Sequence, residues 1–218
     1  MRTYLSTLGY HETRLTRPIL KHGIDEGDEV VVVRPDQDGT DDRAAEALDS
    51  VEAFVSEIEP NVCFTVEGVP TDDFGGALIA CSDVLRAAEG TVVVNFGGGA
   101  REVLLPLATA TLAHVECVES VLNFGDTDHA VHEWTLPDLT ANPPAKTLDT
   151  LQLLATVEEP VSISELAEQS AVAKSTVGRH ISQLAEAGAV NTEQTGKTKQ
   201  VELTLTGEML LRTQTESL

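Results

Sequence analysis

Residues 91–101 read Thr-Val-Val-Val-Asn-Phe-Gly-Gly-Gly-Ala-Arg. Val92, Val93 and Val94 predict a short buried strand, and the three glycines predict a turn from which a helix starts. Glycine opens backbone angles closed to other residues and lets a ligand approach the main chain, while the unpaired N–H groups of the helix start point towards it. Such a turn favours an anion, most often phosphate. Arg101 falls in the first helical turn, where it opposes the helix dipole. That placement makes sense if its guanidinium faces a phosphate or a carboxylate. The alternative is a plain tight turn with Arg101 in water.

The chain before this stretch supplies the sheet that the turn would crown. Arg2–Leu8 reads as a first strand, followed by Gly9-Tyr10-His11 and an amphipathic helix through Leu15, Ile19 and Leu20, shortened or kinked at Pro18. Val30–Val33 is a run of four β-branched residues with no polar face, the pattern of a parallel strand covered on both sides. Residues 41–59 predict a helix whose apolar stripe is Ala44, Ala45, Leu48, Val51, Val55 and Ile58. A strand over 62–66 and a helix over 72–88 follow. The helix after the glycines, 103–113, is apolar all round and would bury against both the sheet and a partner subunit. Strands over 115–124 and 129–136 have no helix between them and predict an antiparallel hairpin. Strand and helix thus alternate four times before a closing hairpin. The fold class is α/β, a doubly wound, Rossmann-like, mostly parallel sheet followed by a small second domain. Ligands of such sheets sit beyond the carboxyl ends of the strands. Residues 7–11, 71–74 and 95–101 would meet there.

The 218 residues carry 36 acidic against 14 basic side chains, a formal charge of −22. Acid is spread along the chain, as expected of a protein adapted to very high salt, where carboxylates keep the surface hydrated and repulsion is screened. Cys63, Cys81 and Cys117 form no Cys-x-x-Cys pair and read as buried free thiols of a reducing cytoplasm. No apolar run is long enough to span a membrane, so a cytoplasmic location is expected. A dinucleotide oxidoreductase is disfavoured, because the first strand is followed by Gly9 alone and the triple glycine lies on the fourth. His114, His129 and His132 follow no metal-ligand spacing, and Ser6 and Ser82 lack the context of a nucleophile. No catalytic residue, metal or cofactor is expected.

Charge is unequally shared. Residues 1–142 hold 8 basic and 26 acidic side chains, whereas 143–218 hold 6 and 10, so the C-terminal part is where a nucleic-acid surface would lie. Residues 136–145, with Pro143-Pro144, read as an extended hinge. The domains are therefore drawn as 1–136, a linker over 137–146, and 147–218. Thr147–Val157 predicts a helix, Ser162-Ile163-Ser164-Glu165 a capping box opening a second, and Lys174–Ala187 a third ended by Gly188. On the third helix Val177, Ile181 and Leu184 form the inward stripe, leaving Ser175, Thr176, Arg179, His180 and Gln183 outward. These side chains, with Lys174, read base edges and phosphates, and no acid interrupts them up to Ala185. Strands over 189–194 and 200–205 form a wing that carries Lys197 and Lys199 near its tip. Helix, helix, turn, helix and wing define a winged helix-turn-helix.

With both halves read, the chain resembles the CRISPR-associated transcriptional regulators of haloarchaeal type that join an N-terminal CARF domain to a C-terminal winged helix-turn-helix domain. The resemblance is carried by Thr7-Leu8-Gly9-Tyr10, Thr71-Asp72-Asp73-Phe74 and Asn95 to Arg101, which is similar to the family's Asn/Asp-x-Thr/Ser-Gly-Gly-x-Arg/Lys signature. Gly97 stands where that signature has a hydroxyl, so one side-chain contact to ligand would be missing. The resemblance implies a homodimer that senses a cyclic oligoadenylate, cyclic tetra-adenylate above all, and binds double-stranded promoter DNA. Asn95, Gly97, Gly98, Gly99 and Arg101 would cradle a phosphate, and Thr7, Gly9, Tyr10 and His11 would contact ribose or base. Two other functions fit the same residues. One is a ring nuclease cleaving cyclic tetra-adenylate, with His11 or Arg101 assisting. The other is a winged-helix repressor sensing an unrelated anionic metabolite.

Overall fold

The computed structural model describes residues 1–36, 42–158, 160–196 and 198–213. Contacts divide the chain into two units, Met1–Thr135 and Leu136–Leu218.

In the first unit the elements run β1 (Arg2–Thr7), α1 (Thr13–His22), β2 (Glu29–Pro35), α2 (Asp42–Ile58), β3 (Cys63–Val69), α3 (Phe74–Ala87), β4 (Thr91–Asn95), α4 (Arg101–Ala113), β5 (Val118–Phe124) and β6 (Val131–Trp134). The sheet has the order β3-β2-β1-β4-β5-β6. Strands β1 to β5 are parallel, and β6 pairs antiparallel to β5 through Phe124 opposite Val131 and Val121 opposite Trp134. The direction of winding reverses between β1 and β4, so the crevice lies over the carboxyl ends of these two strands.

Burial follows the two-residue period of the strands. Tyr4, Val30, Val32, Val93 and Leu122 face Leu15 and Ile19 of α1 and Val51 and Val55 of α2. Leu5, Val31, Val33 and Val94 occupy the alternate positions and are also buried. α3 and α4 cover that second face with Ala77, Cys81, Leu85, Val103, Leu107 and Ala110. A fully buried valine contributes about 1.5–3 kcal/mol, so a strand of four needs cover on both sides. The all-apolar run at 30–33 therefore fixes the position of β2 inside the sheet.

Three expectations change. Leu20 is 59% exposed, because the buried arc of α1 is Leu15, Thr16, Pro18 and Ile19. The buried positions of α2 are Ala47, Val51 and Val55, whereas Ala45 and Ile58 face water. Cys81 is buried, but Cys63 starts the edge strand β3 and Cys117 follows α4, and both are exposed. Residue 41, expected to open α2, lies outside the described residues.

The second unit holds α5 (Leu148–Leu154), β7 (Val161–Ser162), α6 (Ile163–Gln169), α7 (Lys174–Glu186), β8 (Val190–Thr195), β9 (Thr198–Leu203) and α8 (Leu205–Thr213). Its sheet has the order β7-β9-β8, antiparallel throughout. Leu151, Leu154, Leu166, Val177, Ile181, Leu184, Val190 and Val201 form one core. The capping box at the start of α6 is present: the Glu165 N–H donates to Ser162 Oγ at 3.2 Å and the Ser162 N–H to Glu165 Oε2 at 3.0 Å. The segment read as a hinge is docked on this unit. Ala141 packs against its core, Pro143 is buried, and the Asp138 N–H donates to Thr206 Oγ1 at 3.0 Å. Among the described residues no helix is long and apolar enough to cross a membrane.

Candidate functional site

A cavity of about 700 Å³ opens over the carboxyl ends of β1, β2 and β4, walled by Leu8–His11, Arg14, Val32, Arg34, Pro35, Ala44, Leu48, Thr71, Gly98–Ala100, Leu104 and Asp126. Its floor is aliphatic and its rim carries two guanidinium groups and two rings. Gly98 and Gly99 form one wall with φ of 89° and 100°, a region that suits glycine. A Cβ on Gly99 would stand 2.6 Å from the Leu8 carbonyl oxygen, so the two loops touch through main chain alone. α4 starts immediately afterwards, and no side chain caps it. Uncapped amides beside a concave, cationic surface are what an anion needs.

Asn95 braces this arrangement from below. Pro18 has no N–H, so the Arg14 carbonyl four residues earlier in α1 loses its helical donor. The Asn95 Nδ2 group supplies one at 3.1 Å and also donates to Ser6 Oγ at 2.8 Å. The proline inside α1 and the asparagine at the end of β4 thus fit one another, and together they set where the Arg14 side chain leaves its helix. Arg14 then lies over Gly98, and its Nη2 pairs with Asp126 Oδ1 at 2.5 Å.

The residues singled out from sequence therefore fall into three groups. Gly9, Tyr10, His11, Gly98 and Gly99 line the cavity together. Tyr10 is half exposed, with the Arg43 guanidinium 4.6 Å above its ring. Thr7, Asn95 and Gly97 are buried behind the wall. Thr7 Oγ1 and Asn95 Oδ1 find no hydrogen-bond partner among the described residues. The space beside Gly97 is filled by the protein: a Cβ there would lie 2.2 Å from the Thr7 carbonyl oxygen. Arg101 is exposed and lines an adjoining cavity of about 220 Å³ with Asp73, Phe74, Glu102, Leu105 and Thr71, the last of which also walls the first cavity. In that loop Asp73 caps α3, accepting from the Gly76 N–H at 2.7 Å. Sequence reading missed Arg14 and Arg34, since a lone arginine on a helix or at a strand end carries no motif. Among the described residues Arg34 has no ion-pair partner.

On α7, Lys174, Ser175 and Arg179 are exposed and Thr176 and Gln183 are half-buried. The Lys174 ammonium donates to Ser164 Oγ at 2.7 Å. His180 corrects the outward assignment. It is 6% exposed, with Nδ1 hydrogen-bonded to Thr150 Oγ1 at 2.8 Å. It lies three residues after Val177 and four before Leu184, so it belongs to the same inward face. Burial lowers its pKa first, Arg179 and Lys146 lower it further, and Asp149 opposes them. On the wing, Lys199 is half-buried in β9, and Lys197 lies outside the described residues.

Residues 2–127 match the Csa3 CRISPR-associated Rossmann-like domain, and residues 144–194 match the IclR helix-turn-helix domain. No curated protein matches the chain. Among solved structures, the fold is similar to Enterococcus italicus Csm6 bound to cyclic hexa-2′-fluoro-hexa-dAMP, at 10% identity and a TM-score of 0.51 over 87% of this chain and 56% of that one. Weaker likenesses reach Can2 from Sulfobacillus thermosulfidooxidans in complex with cyclic tetra-adenylate (13% identity, TM-score 0.42, 96% of this chain and 56% of that one). They also reach a possible transcriptional regulator for arsenical resistance (26% identity, TM-score 0.28, 32% of this chain and 71% of that one). The chain spans little more than half the length of the Csm6 and Can2 chains.

Proposed function

Because the chain belongs to the Csa3 CRISPR-associated Rossmann-like domain family through residues 2–127, we propose that it is a transcription regulator of a CRISPR locus, active as a homodimer. Its first unit binds a cyclic oligoadenylate, cyclic tetra-adenylate in particular, and its second unit binds promoter DNA. The observation that carries the sensing half is the Gly98-Gly99 turn, whose positive-φ backbone lines a cavity rimmed by Arg14 and Arg34 beside an uncapped helix start. A ligand phosphate sits there, while Tyr10 and His11 meet ribose or base. A cyclic ligand repeats its phosphates around a symmetric ring, so two copies of the turn suit it. Phe74 and Leu105, together at one cavity, leave 55% and 56% of their surface exposed on α3 and α4, an apolar pair that a second copy would cover.

In the second unit, Ser175, Thr176, Arg179 and Gln183 face the major groove, with Lys174, Lys197 and Lys199 on the DNA backbone and His180 fixing α7 from inside. The match to the IclR helix-turn-helix domain supports this half. Ligand changes DNA affinity only by favouring one arrangement of the dimer over another. Isothermal titration with cyclic tetra-adenylate tests the sensing half. One ring bound per two chains is expected, and absence of binding refutes it. Footprinting of the locus promoter with Arg179→Ala tests the other half, where an unchanged footprint and affinity remove the recognition-helix assignment.

A further inference from the structure

The turn between β5 and β6 reaches the cavity through one side chain. Residues 125–130 hold themselves together by the Gly125 N–H donating to the Ala130 carbonyl at 2.8 Å and the Ala130 N–H to Asp128 Oδ1 at 3.0 Å. Asp128 is also paired with His132 at 2.8 Å. Asp126 takes no part in this set, is 70% exposed, and among the described residues pairs with Arg14. An acid on the rim of an anion site is out of place unless it occupies a cation that the ligand will need. Arg14 is that cation, since its main chain is clamped by Asn95 and its side chain crosses Gly98.

We propose that Arg14 is an exchangeable latch: a ligand phosphate takes the place of Asp126 on its guanidinium and so frees the β5–β6 turn. This rests on the anion-sensing reading above, and adds a phosphate-binding residue and a route of response. Arginine forms parallel charge-assisted bonds with phosphate oxygens, whereas an exposed pair with a carboxylate contributes little and is screened by salt. The exchange therefore favours the ligand. The turn leads into β6, which ends at Trp134, and the second unit begins at Leu136, so one short strand joins the freed turn to the chain of the DNA-binding unit.

Trp134 is the chain's one tryptophan and reports on β6 without labelling. Its fluorescence is followed in the full chain during titration with cyclic tetra-adenylate and, separately, inorganic pyrophosphate, with affinities from calorimetry. The parent shows a saturable shift. Asp126→Asn binds cyclic tetra-adenylate several-fold more tightly and already has the shifted spectrum before ligand is added. Arg14→Ala binds at least tenfold more weakly, and Arg14→Lys falls between. Asp126→Asn binding as weakly as Arg14→Ala would mean that the pair merely holds the wall in shape, and overturns the latch, as does ligand binding that leaves Trp134 unchanged. If cyclic tetra-adenylate fails to bind while pyrophosphate shifts Trp134 in the parent and not in Asp126→Asn, the latch stands and the oligoadenylate reading falls. If neither probe shifts Trp134, the latch is refuted.

Discussion

Restoring a hydroxyl at position 97, where the related signature carries one, should damage the protein instead of improving its ligand site. In Gly97→Ser the new Cβ would lie 2.2 Å from the Thr7 carbonyl oxygen, 3.0 Å from Ser6 Oγ and 3.1 Å from Asn95 Nδ2. The first of these atoms cannot yield, because Thr7 is in register with Val33 of the neighbouring strand. The other two form the hydrogen bond by which Asn95 holds Ser6. Overpacking of this kind costs about 1–3 kcal/mol, and each strained or broken hydrogen bond about 1 kcal/mol more. A total near 3 kcal/mol lowers the melting temperature of a unit of this size by about 10 °C. Trp134 lies in the first unit and follows its melting without interference from the second. Gly98→Ala is the comparison: the three atoms nearest its Cβ belong to the Arg14 side chain, from 3.5 Å, although its φ of 89° makes alanine strained there, and left-handed strain costs about 1–2 kcal/mol. A Gly97→Ser protein melting within about 2 °C of the parent, a shift worth well under 1 kcal/mol, would refute the packing argument, and tighter ligand binding by it would show that the side chain does reach the ligand.

Three further outcomes follow from separate parts of the molecule. His180 has a folded-state pKa below its unfolded value because it is buried beside Arg179 and Lys146. The folded state therefore binds fewer protons, and the second unit loses stability as pH falls through and below about 6.5. The drop in unfolding midpoint between pH 7.5 and pH 5 should shrink in His180→Gln, and an unchanged drop would exclude His180 as its source. Burial pushes the Cys81 thiol up to about 11, whereas Cys63 and Cys117 are exposed. A disulfide reagent at pH 8 should modify two thiols in the folded chain and the third only after denaturation, and rapid modification of all three would contradict the burial. Gly178 sits inside α7 with open space where a Cβ would go. Gly178→Ala should stabilise the second unit by about 0.5–1 kcal/mol in denaturant melts followed by circular dichroism, and a loss would reveal packing on that face.

Runs and spacings in the sequence were sufficient for the sheet, because four valines in a row at 30–33 admit no half-exposed strand and Ser162 with Glu165 admits little but a helix start. The glycine wall was legible for the same local reason. What escaped was side-chain direction. An inward stripe drawn through Val177, Ile181 and Leu184 alone leaves His180 outward, although its spacing from Val177 and Leu184 puts it on the buried face. Arg101 follows the glycines in sequence, yet the first turn of α4 carries it to the adjoining cavity that shares Thr71 with the first. Arg14 and Arg34 reach the rim only through the tertiary fold, and the link between Pro18 and Asn95 joins residues far apart in sequence. No local pattern encodes such a link.

β1 lies in the middle of the sheet, bonded on one side to β2 and on the other to β4, with Arg2 opposite Thr91. β1 is therefore synthesised almost ninety residues before the strand that covers its second edge, and loop closure of that length slows folding. The binding wall waits longer still, since its last contributor is residue 126. A chain cut short of that residue carries every glycine of the turn yet leaves the cavity wall incomplete.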